Sequence, residues 1–205
     1  MEARTTALLL IGFQNDFFSE DGVLHESIAE SAKAQRTLSN TVKLIKGLTN
    51  SDVAILSSPI VFSPDYKELE DPIGVLKVIR DTGAFIAGQP GSETVPEFAP
   101  FAAQIQEVPG RQSFNSFSNT QLLPILKSRG IRDLLVSGVI TSACIDSTAR
   151  TAFEEGFRVT VLSDCTAGRD SAEQDFFCQS VFPTFSLVAT ADDALANLSG
   201  QAAEA

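Results

Sequence analysis

One cysteine directly follows a predicted strand. Residues 132–139, RDLLVSGV, form an apolar run of strand length, and the four residues ITSA separate this run from Cys144. We therefore expect Cys144 in the first turn of the next helix, predicted over 144–155. Unpaired amides and the helix dipole at such a position stabilise a thiolate, and the same amides could stabilise an oxyanion. A small buried thiol is the alternative interpretation, and it is the one we favour for Cys165 and Cys178.

Two further segments with polar side chains are expected at the same edge of a sheet. The segment GFQNDF (12–17) follows the continuous apolar strand TALLLIG (6–12), and the segment RQSFNSF (111–117) precedes the next predicted helix. In open parallel sheets, ligands bind at the carboxyl ends of the strands. The spacing thus predicts that these segments meet Cys144 at one site.

The elements that must position these residues alternate between strand and helix. After the first strand, the patterns predict strands at 53–58, 132–139, 157–164 and 185–190. Helical patterns lie between them, at 28–48, 69–80, up to Lys127, 144–155, 171–181 and in a short carboxyl-terminal segment. Asn119 or Thr120 is the expected cap of the third helix, and Ser171 that of the fifth. This alternation predicts an α/β fold with a parallel sheet covered by helices on both faces, in a single domain over 1–205.

Composition excludes several classes of protein. The chain has 15 basic and 26 acidic residues, and a net charge of -11 repels phosphate backbones and anionic membrane surfaces. We therefore expect neither nucleic acid nor a membrane as partner, and we interpret the first apolar stretch as a buried strand rather than a signal peptide. Three cysteines at irregular spacing favour a reducing cytoplasm over a disulfide framework. A single histidine, His25, excludes sites that need two.

Three segments together carry a resemblance to a known family. GVITSACIDSTARTAFEEGFRVTVLSDCTAG (138–168) is similar to the signature of the isochorismatase-like cysteine hydrolase superfamily. GFQNDFF (12–18) resembles the family's Asp-x-Gln-x-Asp-Phe element, and RQSFNSFSNTQL (111–122) its Lys-x-x-aromatic-x-x-Phe segment. The three matches occur in the family's order and span nearly the whole chain.

The resemblance implies a fold, a reaction and a geometry. It implies a Rossmann-like, three-layer αβα domain with a six-stranded, mainly parallel sheet, commonly in a homo-oligomer. The family's Cys–Asp–Lys triad attacks an amide carbonyl through the cysteine, and water then hydrolyses the acyl-enzyme. It also implies a cis peptide between Val139 and Ile140, which would aim the amides of Ile140 and Cys144 at the oxyanion.

Two of the three triad positions differ in this chain. The aspartate position is Gly12, which supplies no proton acceptor and should leave empty volume beside the sulfur. The lysine position is Arg111, which keeps the positive charge but does not exchange protons near neutral pH. Arg111 could hold Cys144 as a thiolate. Asp16 is the nearest replacement acid, because it shares strand parity with Gly12 if the strand continues that far.

The resemblance also places residues around a substrate. Gln14, Phe17, Phe114 and Phe117 would flank the cleft, and we expect one or two of the three phenylalanines to contact a ligand. The family's metal-binding amidases carry histidines after the second strand, where this chain reads SSPIVFSPDYKEL, so we expect no metal and no other cofactor. Isochorismate cleavage is disfavoured, because that branch needs the carboxylate that Gly12 lacks.

Three hypotheses follow. The first is a hydrolase for a small amide or other C–N substrate, with Cys144 as nucleophile and Arg111 as its electrostatic partner. The second is a catalytically impaired family member that binds a small molecule or acts as a scaffold. The third is a redox-sensing or electrophile-sensing thiol, which would need an accessible sulfur of low pKa without turnover. The retained cysteine favours the first hypothesis, and the two substituted positions favour the second.

Overall fold

A computed structural model describes residues 1–199 of the chain. It contains a sheet of six parallel strands in the order β3-β2-β1-β4-β5-β6. The strands are β1 (Thr6–Ile11), β2 (Ala54–Ser58), β3 (Ile105–Glu107), β4 (Asp133–Val139), β5 (Arg158–Ala167) and β6 (Leu187–Ala189). The predicted α/β class with a parallel sheet is therefore confirmed. The predicted single domain extends to residue 205, and 200–205 lie outside the described residues.

Eight α-helices complete the described part of the fold. They are α1 (Asn15–Phe18), α2 (Ala29–Gln35), α3 (Thr37–Leu48), α4 (Gly74–Thr82), α5 (Leu122–Ser128), α6 (Asp146–Glu154), α7 (Ser171–Phe176) and α8 (Ala191–Ser199). A π-helical turn, Thr141–Ile145, precedes α6, and a second, Phe177–Val181, follows α7. Short 3₁₀ segments connect several of these elements, among them His25–Ser27 and Pro96–Phe101.

The side chains of β1 explain the three layers. All six residues of this central strand are buried, as expected for a strand covered on both faces. Ala7, Leu9 and Ile11 pack on one side with α5 and α6. Leu8 and Leu10 pack on the other side with α3 and α8. The period-2 alternation of the strand thus distributes one apolar run over two helical layers.

Several predicted element boundaries are wrong. Helix α5 begins at Leu122 with Gln121 in the cap position rather than Asn119 or Thr120, although the Thr120 hydroxyl accepts a hydrogen bond from the Leu122 amide at 3.2 Å. The helix predicted over 28–48 is two helices, because Arg36 adopts a left-handed conformation with φ of 53° between α2 and α3. The helix predicted over 69–80 begins only at Gly74. The cap of α7 is Asp170 rather than Ser171, since the Asp170 carboxylate accepts a hydrogen bond from the Glu173 amide.

The carboxyl ends of β1 and β4 lie side by side and carry the predicted site. Ile11 pairs with Gly138 at this edge. A Cβ on Gly138 would lie 1.9 Å from the Ile11 carbonyl oxygen, so only glycine allows the two strands to approach so closely here. The pairing of β4 with β5 also shifts register between Val136 and Gly138. Gly138 therefore lets β4 bend into the turn that carries Cys144.

Candidate active site

Cys144 lies in a tight turn at the carboxyl end of β4. The Val139–Ile140 peptide is cis, as the family resemblance implied. The Ile140 carbonyl accepts hydrogen bonds from the amides of Ala143 and Ile145, at 3.0 and 3.2 Å, and so closes the turn. Cys144 sits in this π-helical turn directly before α6 and is 7% exposed. The predicted placement in the first turn of a helix is confirmed, with π-helical rather than α-helical geometry.

A buried glutamine anchors the turn from the side. The Gln174 side-chain oxygen accepts a hydrogen bond from the Thr141 hydroxyl. Its amide nitrogen donates to the Ser163 carbonyl and the Thr166 hydroxyl, both at 3.0 Å, and contacts the Cys178 sulfur at 3.3 Å. Thr141 lies just after the end of β4, and Ser163 and Thr166 lie on β5. Gln174 therefore fixes the cysteine turn against the sheet. Sequence reasoning did not identify this residue, because a single glutamine in a helix carries no motif.

Arg111 is a buried cation beside Cys144. Its residue exposure is 1%, its Nε donates to the Ser58 carbonyl at 3.0 Å, and its Nη1 contacts the Ser113 carbonyl at 3.4 Å. Its Nη2 has no hydrogen-bond partner among the described residues. Burial lowers the pKa of Arg111, and attraction to the Cys144 side chain opposes that effect. A guanidinium nevertheless stays protonated near neutral pH, so this buried charge needs a negative neighbour.

The segment that carries Arg111 is fastened to α6. The Ser116 amide donates to the Thr148 hydroxyl at 3.0 Å, and the Asn115 side chain donates to the Thr151 hydroxyl at 2.8 Å. The Arg111 carbonyl accepts a hydrogen bond from the Val61 amide. These contacts place 111–117 against the helix that begins after Cys144, which explains why residues far apart in the sequence share one site.

A small apolar pocket opens beside the cysteine. It has a volume of about 130 Å³, and Cys144 and Ile140 form one wall. Phe17 and Phe114 line it, as predicted. Phe117 does not. It packs in the core and stacks on Phe157 with ring centroids 6.3 Å apart, so the prediction that it flanks the cleft is wrong.

Much of the pocket comes from segments to which sequence reasoning gave no functional role. Leu24 lies in the loop after α1, Val75 and Ile79 lie on α4, and Phe85 follows α4. Arg169 also lines the pocket, from the loop between β5 and α7. The sequence predicted a helix over most of α4 but did not place it at the site. The signal that could have done so is its amphipathic pattern, which needs an apolar partner.

Gly12 occupies the position of the family's aspartate without leaving open space. Its φ is 71°, a conformation that L side chains rarely adopt. A Cβ at this position would lie 3.0 Å from the Val139 carbonyl oxygen and 3.6 Å from the Phe17 ring. The expectation of empty volume beside Gly12 is therefore wrong, because Val139 and Phe17 already fill it.

Gln14 is fully used as a structural clamp. Its side-chain nitrogen donates to the carbonyls of Ile60 and Ser92, both at 2.9 Å. Its oxygen accepts from the Ile60 amide, also at 2.9 Å. With these three bonds the buried side chain ties the end of β1 to two loops. The prediction that Gln14 binds substrate is wrong in this geometry, since it has little hydrogen-bonding capacity left.

Asp16 holds a loop rather than the nucleophile. The strand ends at Ile11 and Asp16 lies in α1, so the predicted strand parity with Gly12 does not exist. The carboxylate is 5% exposed and accepts a hydrogen bond of 2.6 Å from the Phe85 amide. Burial raises the pKa of Tyr66, and the charge of Asp16 raises it further. The geometry assigns Asp16 to the loop around Phe85 and gives no support to a relocated catalytic role.

Within residues 1–199, no group of three or more His, Cys, Asp and Glu side chains is arranged to hold a metal ion. Across the same range no helix is both long and apolar enough to cross a membrane.

The fold and the site define a class of protein: an αβα domain with a cysteine in a tight turn after its central strands, next to a buried cation. Comparison with known proteins gives the family. Residues 6–193 match the Isochorismatase domain, and the chain belongs to this family. The family resemblance seen in the sequence is confirmed.

Individual relatives are similar at lower levels of identity. The chain is 27% identical over 206 residues to the ureidoacrylate amidohydrolase RutB of Variovorax paradoxus, covering 94% of this chain and 81% of that protein. It is 28% identical over 166 residues to nicotinamidase 3 of Arabidopsis thaliana, covering 80% and 74%. A cysteine hydrolase from Pseudomonas syringae has the same fold, with a TM-score of 0.85 and 18% identity over 98% of this chain and 95% of the other.

Proposed function

We propose that this protein is a cysteine hydrolase that cleaves the C–N bond of a small amide through a thioester on Cys144. The observation that carries the proposal is the buried guanidinium of Arg111 beside that sulfur. Relatives named as a ureidoacrylate amidohydrolase and a nicotinamidase support the same reaction type. Cys144 and Arg111 belong to one site, and the pocket next to Cys144 is large enough for a small molecule.

We propose that Cys144 reacts as a thiolate paired with Arg111. A buried cation without a negative partner is costly, and no carboxylate forms an ion pair with Arg111 in the described part of the chain. A thiolate at Cys144 supplies the missing charge. Its position before α6 adds the favourable end of a helix dipole. No base is then needed for the first attack.

The reaction proceeds in two steps. The Cys144 thiolate attacks the carbonyl carbon, and the negative charge moves to the carbonyl oxygen, which the amides of Ile140 and Cys144 are proposed to stabilise. The C–N bond breaks, the amine leaves with a proton, and a thioester remains on the sulfur. Water then adds to the thioester carbonyl, the C–S bond breaks, and the acid leaves as the thiolate is restored.

Apart from Cys144 itself, the described pocket lining supplies no side chain suited to transfer protons near neutral pH. The described residues that line the pocket include no carboxylate, lysine or histidine. Solvent water must therefore protonate the leaving amine and deprotonate the attacking water, without the roughly 10²–10⁴-fold help that a positioned general acid or base typically gives. This observation supports the second candidate function, a small-molecule binding or scaffold protein with impaired catalysis.

We propose four further properties. The enzyme works without a metal, for which the lone His25 of the sequence gives support. It acts in the reducing cytoplasm, in keeping with its three free cysteines. It assembles as a homo-oligomer, as the family resemblance implies, and it forms one domain throughout.

The first test is selective alkylation by iodoacetamide, read by peptide mass spectrometry. At about pH 6.5 we expect Cys144 to be modified much faster than Cys178, if it reacts as the thiolate proposed here. Cys178 is the internal control, since burial disfavours its thiolate and raises its pKa to about 11. Labelling of Cys178 should therefore rise about tenfold per pH unit through the alkaline range. Equal slow labelling of both sulfurs at the acidic pH would contradict the thiolate.

Ammonia release from a panel of primary amides then separates the two candidate functions. Cys144→Ser should abolish release, while Cys178→Ser should leave it unchanged. Acid quenching should trap an acyl group whose mass is found on the Cys144 peptide. Labelling of Cys144 without ammonia release from any amide would favour the binding or scaffold protein.

A further inference from the structure

The pocket beside Cys144 is apolar on nearly all sides. Its described lining carries polar side chains at only three positions, Cys144, Ser27 and Arg169. The remaining lining residues are aliphatic or aromatic, with Phe17 and Phe114 on two sides. A bound group must therefore contact carbon atoms almost everywhere except at the sulfur.

The other two polar residues already have partners within the protein. The Ser27 hydroxyl donates its hydrogen to the Leu24 carbonyl at 2.5 Å. The Arg169 side chain is 71% exposed, and its Nε pairs with the Glu173 carboxylate at 2.5 Å. A carboxylate buried among the apolar side chains of this pocket would lose its hydration, which is unfavourable.

The size of the pocket limits the group further. Its volume is about 130 Å³. An apolar protein cavity of about 150 Å³ lined by Leu, Ile and Phe stays dry and binds benzene. A group of five or six carbon atoms therefore fills the space, and a fused double ring exceeds it.

We infer that the pocket selects an uncharged, apolar acyl group no larger than a benzene ring, held with its carbonyl carbon against the Cys144 sulfur. This inference rests on the proposed hydrolase function for its chemistry, but the shape and polarity of the pocket determine the acyl group independently. Small aliphatic and aromatic carboxamides are the substrate class, and amides that carry a carboxylate are not.

The kinetic test compares acyl groups on one leaving group. The substrates are acetamide, isobutyramide, benzamide, 1-naphthamide and succinamate, with kcat/KM measured by ammonia release. Each methylene that enters the pocket should raise kcat/KM about 3- to 4-fold until the pocket is full. Benzamide should therefore exceed acetamide, while 1-naphthamide and succinamate should fall below isobutyramide. Succinamate at or above benzamide would overturn the inference.

A binding test keeps the inference separate from the proposed function. In the Cys144→Ser protein, saturation-transfer NMR should detect bound benzamide and no bound succinamate. Benzamide binding in the absence of any turnover by the parent protein would refute the hydrolase and leave the acyl pocket standing. Turnover of amides that carry a carboxylate would support the hydrolase and refute the selection of an uncharged acyl group.

A variant on α4 tests the pocket wall directly. Val75 lines the pocket, whereas Ile73, two residues earlier, is 83% exposed and does not. Val75→Phe should fill the space, reducing kcat/KM for benzamide at least about tenfold while acetamide is little affected. Ile73→Phe is the matched control and should change neither substrate. Equal loss for both substrates in Val75→Phe would count against a size-selective pocket.

Discussion

The ends of β1 and β4 are neighbours in the sheet, yet the residues that follow them have different roles. At the end of β4 the chain turns through a cis peptide and presents Cys144 beside a buried cation and a pocket. At the end of β1 the polar side chains of Gln14 and Asp16 are bonded to the backbone of neighbouring loops. The end of β4 carries Cys144, the proposed nucleophile. The residues after β1 hold the loops around the pocket.

Under the proposed function, this difference means that the site can lack a carboxylate at Gly12 and still keep the loops around its pocket. The β1 end still fixes the loop around Phe85, which lines the pocket, through the Asp16 carboxylate. Gly12 contributes no side chain, and Val139 and Phe17 occupy the space that a Cβ would reach. The Arg111 side chain near the sulfur is held by the carbonyls of Ser58 and Ser113, and neither residue belongs to β1. The predictions below test whether the two strand ends are separable in this way.

The largest effect is expected at the β4 end, from removing the buried cation. Arg111→Met eliminates the charge that stabilises a Cys144 thiolate. If this charge is what makes the sulfur reactive, iodoacetamide labelling of Cys144 near pH 6.5 should fall on the order of tenfold or more. Rates come from mass spectrometry of timed samples. Arg111→Lys keeps the charge and should retain most of the labelling.

A second arginine provides the control for that experiment. Arg169 also lines the pocket, but its charge is paired with Glu173 and its side chain is largely exposed. Arg169→Met should leave the labelling rate unchanged. If both arginine variants reduced labelling equally, a general field of positive charge would explain the result, and the specific pair of Arg111 and Cys144 would be refuted.

An intermediate effect is expected at the β1 end, on stability rather than on chemistry. Asp16→Ala leaves the buried Phe85 amide without its acceptor, and a hydrogen bond to a charged group contributes about 1.5 to 3 kcal/mol. The free energy of unfolding in urea should fall by about that amount. Because Phe85 lines the pocket, KM for an amide should rise, whereas kcat should stay close to that of the parent protein.

The matched control is Asp21→Ala, in an exposed turn close to Asp16 in the sequence. It should change neither stability nor kinetics. If Asp16→Ala instead lowered kcat by about a hundredfold or more and left KM unchanged, the variant would show the signature of a lost general base. That result would move catalysis to β1 and end the proposed separation.

The sequence was sufficient for the parts of this molecule that rest on periodicity. The apolar run of β1 and the spacing from β4 to Cys144 predicted the sheet and the nucleophile turn, because burial and strand length are local properties. The break at Arg36 was missed, since a single left-handed residue leaves the helical pattern on both sides intact. The cap at Asp170 was assigned one residue late, because Asp and Ser are both good caps.

The roles of polar side chains at the site were harder to predict. Gln14 and Asp16 lie in a motif that resembles the family's, but their bonds go to Ile60, Ser92 and Phe85, which are 46 to 78 positions away in the sequence. Such partners depend on how the loops return to the sheet edge, and no local pattern encodes that path. The same reason explains why Phe117 was placed in the cleft although it packs in the core.

The smallest effect is expected from restoring the family's aspartate. In Gly12→Asp the new residue must adopt a φ of 71°, which costs L residues about 1 to 2 kcal/mol and aspartate less than most. Its Cβ would lie 3.0 Å from the Val139 carbonyl oxygen, so the backbone must shift. We expect a modest loss of unfolding free energy and a rise in amide hydrolysis of less than about tenfold, well below the full contribution of a positioned general base.

Gly12→Asn separates the carboxylate from the backbone cost. Asparagine has nearly the same shape and also tolerates a left-handed conformation, so the ratio of the Asp to the Asn variant in kcat/KM isolates the acid. A ratio near one would mean that a side chain at 12 does not reach the sulfur in this backbone. A ratio above about 10² would mean that β1 still positions a catalytic group, and that the missing carboxylate alone limits turnover. The two strand ends would then be halves of one catalytic unit rather than separable parts.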